Sequence, residues 1–375
     1  MPSTRLASPG IPLWLRGRRA GGERRVAPKL GLLAVAAALG TLPFWLQSQY
    51  HLHVAIQVAI FAMLAMSLNL LLGYTGQLSL GHAAFFGIGG YTSALLSKHL
   101  EWPVVIGFVV AVVLAGLAGY LIGCLSLRLR GAYFVLVSIS FAGVIALVSV
   151  NWIELTNGPL GIPNVAPPVL AVPGLGQVVF LRKEPYYYLV LAMAVLSYFV
   201  CHRLVRSRFG RACIALRENE VLAQAVGVNA TRYLVITAVV SAAMAGAAGS
   251  LYVHYTRFVS PEIFLFSYTV TMVIMVVAGG KGTLLGPIVG AVIFTVLPEV
   301  LRAVTSYQWQ LLLYGVLLVL TVFFLPKGIV PALASWQRRR ARPAQFVPAA
   351  SAPDSRPLAA ESRASTADHR TPTAR

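Results

Sequence analysis

An amide, a hydroxyl and an imidazole, those of Gln77, Ser79 and His82, stand close together in Gly73-Tyr74-Thr75-Gly76-Gln77-Leu78-Ser79-Leu80-Gly81-His82. Tyr74 and Thr75 precede them, and no Asp, Glu, Lys or Arg occurs from His53 to Ser97. These groups donate and accept hydrogen bonds without a fixed charge, so they can pass a polar or zwitterionic solute without trapping it. They can equally serve only to satisfy local backbone where a helix breaks, and the residues leave both readings open. Apolar runs on either side make the setting a membrane. Lipid offers no partner to an exposed amide, so irregular backbone at that depth is buried in protein or lines a cavity. Interrupted membrane helices of this kind often mark a translocation site.

Enzymatic chemistry finds no comparable constellation. His82 has no Cys, Asp or Glu partner at metal-ligand spacing, and neither HExxH nor GxSxG occurs. Gly279-Gly280-Lys281-Gly282-Thr283 looks like a phosphate loop but departs from GxxxxGK[ST], because glycine follows the lysine. The chain therefore shows no means of hydrolysing ATP itself, and no cofactor or metal is indicated. Glu101, Glu154, Glu184, Glu262 and Glu299 fall at or near span ends. His82 is left as the one plausible titrating group within the membrane, as a proton relay or, more ordinarily, as a hydrogen-bonded histidine at a helix start. A secondary carrier built on it is the rival transport class.

The elements that must hold these residues follow from composition. Of 375 residues, 58% are hydrophobic and 11% charged, against about 25% charged in soluble domains. The expectation is an all-α polytopic membrane protein. Runs of roughly 20 apolar residues span a bilayer. Such runs lie near 30–47, 53–72, 82–97, 103–127, 133–150, 186–204, 232–253, 263–279, 283–300 and 310–325. That is about ten helices, with the 73–82 break broken or re-entrant. The first run follows a basic region, as a signal peptide does, but its long preceding arm and lack of a small-x-small site favour a retained helix. With the N-terminus inside, 25 of the 30 Lys and Arg fall on the cytoplasmic side. The loops alone divide 9 against 5. Both are the bias expected of cytoplasmic loops, and they give an N-in, C-in topology. The net charge of +19 thus belongs to loops and tails rather than to a nucleic-acid surface.

Residues 1–29 read as a disordered basic cytoplasmic arm, 30–330 as the transmembrane domain and 331–375 as a disordered basic tail. The outside loop 151–185, with Asn157-Gly158-Pro159-Leu160-Gly161-Ile162-Pro163 and Pro167-Pro168, carries turn chemistry rather than a folded domain. Cys124, Cys201 and Cys213 have no CxxC spacing and read as small buried apolar residues. Gly119-xxx-Gly123, Gly286-xxx-Gly290 and the small-residue run Ala242 to Gly249 suit close helix packing within the chain.

A second informative segment is the cytoplasmic loop at about 203–231. Arg211 to Val226 suits one amphipathic helix, with Ile214, Ala215, Leu222, Ala223 and Val226 broadly on one side and Arg217, Glu218 and Glu220 more polar. Gly227 can end it. Such a helix can lie on the membrane surface or dock in a groove of a cytoplasmic partner. Glu218 and Glu220 repel an anionic lipid surface and favour docking.

SLNLLLGYTGQLSLGHAAFFGIGGYTSALL (Ser67 to Leu96) resembles the signature of permease subunits of branched-chain amino-acid ABC importers, in particular their M-type permease. The resemblance continues in Arg130 to Ile145, in Thr156 to Ile162, in the RACIALRENEVLAQAVGVN loop, in VAGGKGTLLGPIVGA and in Phe324 to Ile329, and covers most of 50–330. Ala132 stands where the family commonly has an acidic residue, Ser138 where it commonly has Thr, and TNGPLGI lacks part of the usual glycine-rich pattern. These departures bear on substrate more than on fold, and urea or short-chain amide importers use similar permeases. The resemblance implies a multi-pass subunit of the bacterial inner membrane that pairs with a second, homologous permease. It further implies two cytoplasmic ABC ATPase subunits and a periplasmic or lipid-anchored binding protein. It makes the 211–227 segment, with Arg217, Glu218, Glu220, Ala223 and Gly227, the ATPase-coupling element.

Overall fold

In lipid a chain satisfies its amides through its own i to i−4 bonds, so long apolar runs without breakers become helices. In the computed structural model, the structure describes residues 40–43, 48–126, 132–172, 176–302, 315–316 and 328–340. The helices are α1 (Gln49–Asn69), α2 (His82–His99), α3 (Val104–Ser126), α4 (Ala132–Asn151) and α5 (Lys183–Arg206). They continue with α6 (Arg208–Glu218), α7 (Glu220–Ala225), α8 (Ala230–Thr256), α9 (Phe266–Gly280), α10 (Gly286–Arg302) and α11 (Ile329–Arg340). Several start at a side chain that accepts from an otherwise orphaned amide: Ser48 for α1, Ser207 for α6, Asn219 for α7 and Asn229 for α8.

Among the described residues, five helices are long and apolar enough to cross a membrane: α1 with its extension to Thr75, α3, α4, α5 and α8. The apolar helices α9 and α10 are shorter. Eight expected spans, 53–72 to 283–300, therefore coincide with α1 to α5 and α8 to α10. The runs 30–47 and 310–325 lie almost wholly outside the described residues.

The core is built around α1 and α8, whose apolar stretches are 78% and 72% buried, against 22% and 17% for α4 and α5. Small residues permit the close approach. A Cβ on Gly89 would lie 2.2 Å from the Gly246 carbonyl oxygen, and one on Gly119 would lie 2.4 Å from Ala242 Cβ. One on Gly290 would lie 1.9 Å from the Met275 carbonyl oxygen. The small-residue pattern thus serves packing of α8 on α2 and α3, and of α10 on α9.

The 151–185 loop is more ordered than its turn chemistry predicts. Among the described residues, β1 (Ile162–Pro163) pairs antiparallel with β4 (Phe258–Val259), and β2 (Val169–Val172) pairs with β3 (Gly176–Val179). Ile162 and Val165 are buried, and His254 of α8 bonds the Ala166 carbonyl at 2.6 Å. Through β1 and Ala166 the loop is thereby fastened to the end of α8. By contact density the chain divides into residues 1–334 and 335–375.

Candidate functional site at the helix break

Helix α1 loosens into a π-helical turn over Leu70–Thr75 and ends at Gly76, which takes φ +76°. That left-handed conformation favours glycine. The backbone stays irregular to Gly81, and α2 begins at His82. Helix ends leave orphaned carbonyls and amides, and neighbouring elements satisfy them here. The Leu71 carbonyl accepts from Gly76 N and, at 3.1 Å, from Gln77 N. Ser138 Oγ of α4 accepts from Leu80 N at 3.1 Å, and Thr269 Oγ1 of α9 accepts from Ala83 N at 3.1 Å. Arg217 Nη1 of α6 donates to the Gly73 carbonyl at 2.6 Å. The approach of α4 is close: a Cβ on Gly81 would lie 1.8 Å from the Ser138 carbonyl oxygen.

The five sequence-predicted residues take different surroundings. His82 is 0% exposed, and its Nε2 lies 2.9 Å from Ser67 Oγ. Ser67 Oγ donates to the Leu64 carbonyl at 2.7 Å, and a hydroxyl has one proton. His82 Nε2–H is therefore the donor, and Nδ1 is a buried acceptor without a hydrogen-bond partner. Thr75 Oγ1 donates to the Leu71 carbonyl at 2.7 Å. Ser79 is buried and Gln77 half-buried. Tyr74 faces a narrow apolar crevice with Leu70, Leu204 and Phe209.

Sequence reasoning missed the residues that tie the break together. Ser241 of α8 donates to the Ser67 carbonyl at 2.5 Å. Asn69 donates through Nδ2 to the Thr283 carbonyl at 2.9 Å and accepts from Gly282 N at 2.9 Å. The available signal was the polarity of Ser67 and Asn69 inside an apolar run.

The expected single helix over 211–226 is two. Asn219 takes φ −157° and ψ 104°, ends α6, and accepts through Oδ1 from Leu222 N at 3.0 Å to start α7. This bend re-aims the side chains. Ala223 is buried with Leu216 and Ala230, whereas Val221, Leu222 and Val226 are 71%, 62% and 74% exposed. Gly227 takes φ +90° and leaves open space around its Cα. Arg217 turns inward to the break and also pairs with Glu218 at 2.5 Å. Cys213 is buried beneath α6, and burial pushes its thiol up, with the Thr237 hydroxyl opposing in part.

At the other end of α1 opens a cavity of about 500 Å³, lined among others by His53, Arg182, Lys183, Tyr255 and Arg257. Gln49 Nε2 donates to Glu184 at 2.8 Å, and Tyr50 bonds Glu299, so α5 and α10 are fastened to α1 there.

Apolar helices of spanning length, the central one interrupted and re-satisfied by its neighbours, define a multi-pass membrane protein. The model of the family described as branched-chain amino acid transport system, permease component, matches residues 50–322, and the chain belongs to that family. It is similar to the high-affinity branched-chain amino acid transport system permease protein LivM of Salmonella typhimurium, at 35% identity over 82% of this chain and 76% of that protein. The same protein of Escherichia coli K12 is 34% identical over the same shares. The permease protein LivH of Escherichia coli K12 is 28% identical over 72% of this chain and 91% of its own length. No solved structure matches.

Proposed function

We propose that the chain is the M-type permease of an ATP-driven importer that carries leucine, isoleucine and valine into the cytoplasm. The observation that carries this is the 35% identity to LivM over 82% of the chain. It sits in the bacterial inner membrane with about ten spans and both termini inside, as the distribution of Lys and Arg supports. A second, homologous permease completes the pathway, a binding protein delivers substrate from outside, and two ATPase subunits bind on the cytoplasmic side, where the α6–α7 face of this chain offers one contact. Arg217, Glu218, Glu220, Ala223 and Gly227 form the coupling element, and exposed Val221, Leu222 and Val226 offer the apolar anchors that a helix-in-groove contact uses. Gln77, Ser79 and His82, with Tyr74 and Thr75, line the solute path when the break opens. The burial of Tyr74, Thr75, Ser79 and His82 in the present arrangement fits a closed gate.

The test is uptake of labelled leucine and labelled urea in cells lacking their own importers. The cells express the chain with its partner subunits, with the ATPase intact or inactivated. ATP-dependent leucine uptake, competed by isoleucine and valine, is expected. ATP-dependent urea uptake alone would replace the substrate, and uptake indifferent to the ATPase would replace the mechanism with that of a secondary carrier.

A further inference from the structure

We propose that Arg217 is a positioning residue that makes the ATPase-facing helices, the broken end of α1 and the Gly279–Thr283 turn move as one joint. The proposal rests on the importer reading above for the direction of the signal, and on geometry for the joint itself. Arg217 lies in the last turn of α6, just before the Asn219 bend that presents α7. Its side chain is 33% exposed. Nη1 donates to the Gly73 carbonyl at 2.6 Å, while Nε and Nη2 reach Glu218 Oε1 at 3.2 and 2.5 Å. The Gly73 carbonyl lies in the last turn of a helix, where acceptors are orphaned and the dipole is negative. A guanidinium there makes a charge-assisted bond, and its planar fork holds two acceptors at once.

Three glycines form the socket. A Cβ on Gly282 would lie 2.7 Å from Arg217 Nη1, and one on Gly76 would lie 3.0 Å from Arg217 Cγ. One on Gly73 would lie 2.0 Å from Asn69 Oδ1 and 2.5 Å from Gly282 N. Gly282 also takes φ +74°. The turn is braced from within, because Thr283 Oγ1 donates to the Gly280 carbonyl at 2.7 Å and accepts from Gly286 N at 3.0 Å. Asn69 bonds both Gly282 and Thr283. The Gly-Gly-Lys-Gly-Thr run, which looks like a phosphate loop, is thus the receiving side of a joint. A shift of α6 and α7 must carry Gly73 with it or break the Arg217 bond, and Asn69 ties Gly282 and Thr283 to the same helix end. The far side of that linkage is the Gln77–His82 segment.

The test uses the full complex, with its binding protein, in proteoliposomes, and measures uptake and ATP hydrolysis together in Arg217→Gln and Gly282→Ala. The second variant displaces the guanidinium without removing its charge. Gly282→Ala is expected to assemble and hydrolyse ATP at near-native rate while uptake per ATP falls about tenfold, the scale set by one charge-assisted bond; Arg217→Gln, which also alters the coupling element, is expected to show at least the same fall in uptake per ATP. A fall of less than about threefold in both variants would overturn the proposal. Where Arg217→Gln fails to assemble, Gly282→Ala decides; failure of both would make Arg217 a structural cap only, and the proposal falls. The substrate reading is judged separately, by the native complex. If that complex carries urea and not leucine, the same ratio is measured with urea.

Discussion

Replacing Gly249 by alanine puts a methyl group into the seam between α8 and α2. A Cβ there would lie 1.9 Å from the Phe86 carbonyl oxygen and 3.0 Å from Gly90 N, where ordinary contact begins at 3.4 Å. The helices must therefore part locally by about 1.5 Å, because neither backbone atom can rotate aside. The same seam continues at Gly246, whose carbonyl oxygen a Cβ on Gly89 would meet at 2.2 Å, so the parting loosens contacts along α2. A gap of that width forfeits much of the dispersion between the helices, and the expected cost is about 3 kcal/mol, the upper part of the overpacking range. Gly116→Ala is the matched control, since its Cβ would meet Ala243 Cβ at an ordinary 3.6 Å. There the better helix propensity of alanine is expected to stabilise by up to about 1 kcal/mol. The assay is the fraction of complex that survives heating, read by size exclusion. A midpoint at least about 5 °C lower is expected for Gly249→Ala, with none for Gly116→Ala. Equal midpoints for the two variants would refute the argument that contact distance at the seam decides the cost.

Gln77→Ala and Ser79→Ala are expected to lower ATP-dependent uptake severalfold; unchanged uptake in both would remove their path-lining role. Glu220→Arg and Gly227→Asp are expected to uncouple transport from hydrolysis. At Gly227 the φ of +90° adds local strain of about 1–2 kcal/mol for any other residue, and normal uptake with normal ATPase assembly would count against the coupling assignment. Because burial raises the Cys213 pKa, its reactive thiolate is scarcer at any given pH than that of a free thiol. Maleimide labelling should thus be slow at neutral pH, accelerate only above the usual thiol range, and become rapid in denaturant; fast labelling of the native complex at neutral pH would contradict the placement. Asn69→Ala removes two bonds and strands the Gly282 amide, at an expected cost of about 2–3 kcal/mol, checked by the same heating assay.

The spanning helices were legible because one constraint, the need for each backbone amide in lipid to find its partner along its own helix, governs sequence and structure alike. The break was legible for the same reason: Gly73, Gly76 and Gly81 cannot continue an apolar run without consequence. The split of the coupling segment was less so. Asn219 is a helix-capping residue in plain view, but the apolar spacing on either side suits one continuous helix, and the capping bond to Leu222 N decided the matter. The partners of the break were not readable at all. Ser67 and Asn69 announce that something polar must meet them, but Ser241, Gly282 and Thr283 lie 174 to 214 residues further along. Only the folded arrangement shows that Arg217 points back into the protein rather than out toward a partner.

That separation also sets a schedule for making the protein. Helix α1 leaves the ribosome long before Gly282 and Thr283 exist, 213 and 214 residues after Asn69. At synthesis rates of about 5–20 residues per second, the wait is roughly 10–40 s. Throughout it, the central helix holds the Asn69 side chain without its native partners, which arrive only with the turn after α9. Among the described spanning helices, the one with the most buried apolar stretch thus waits on partners made 213 and 214 residues later.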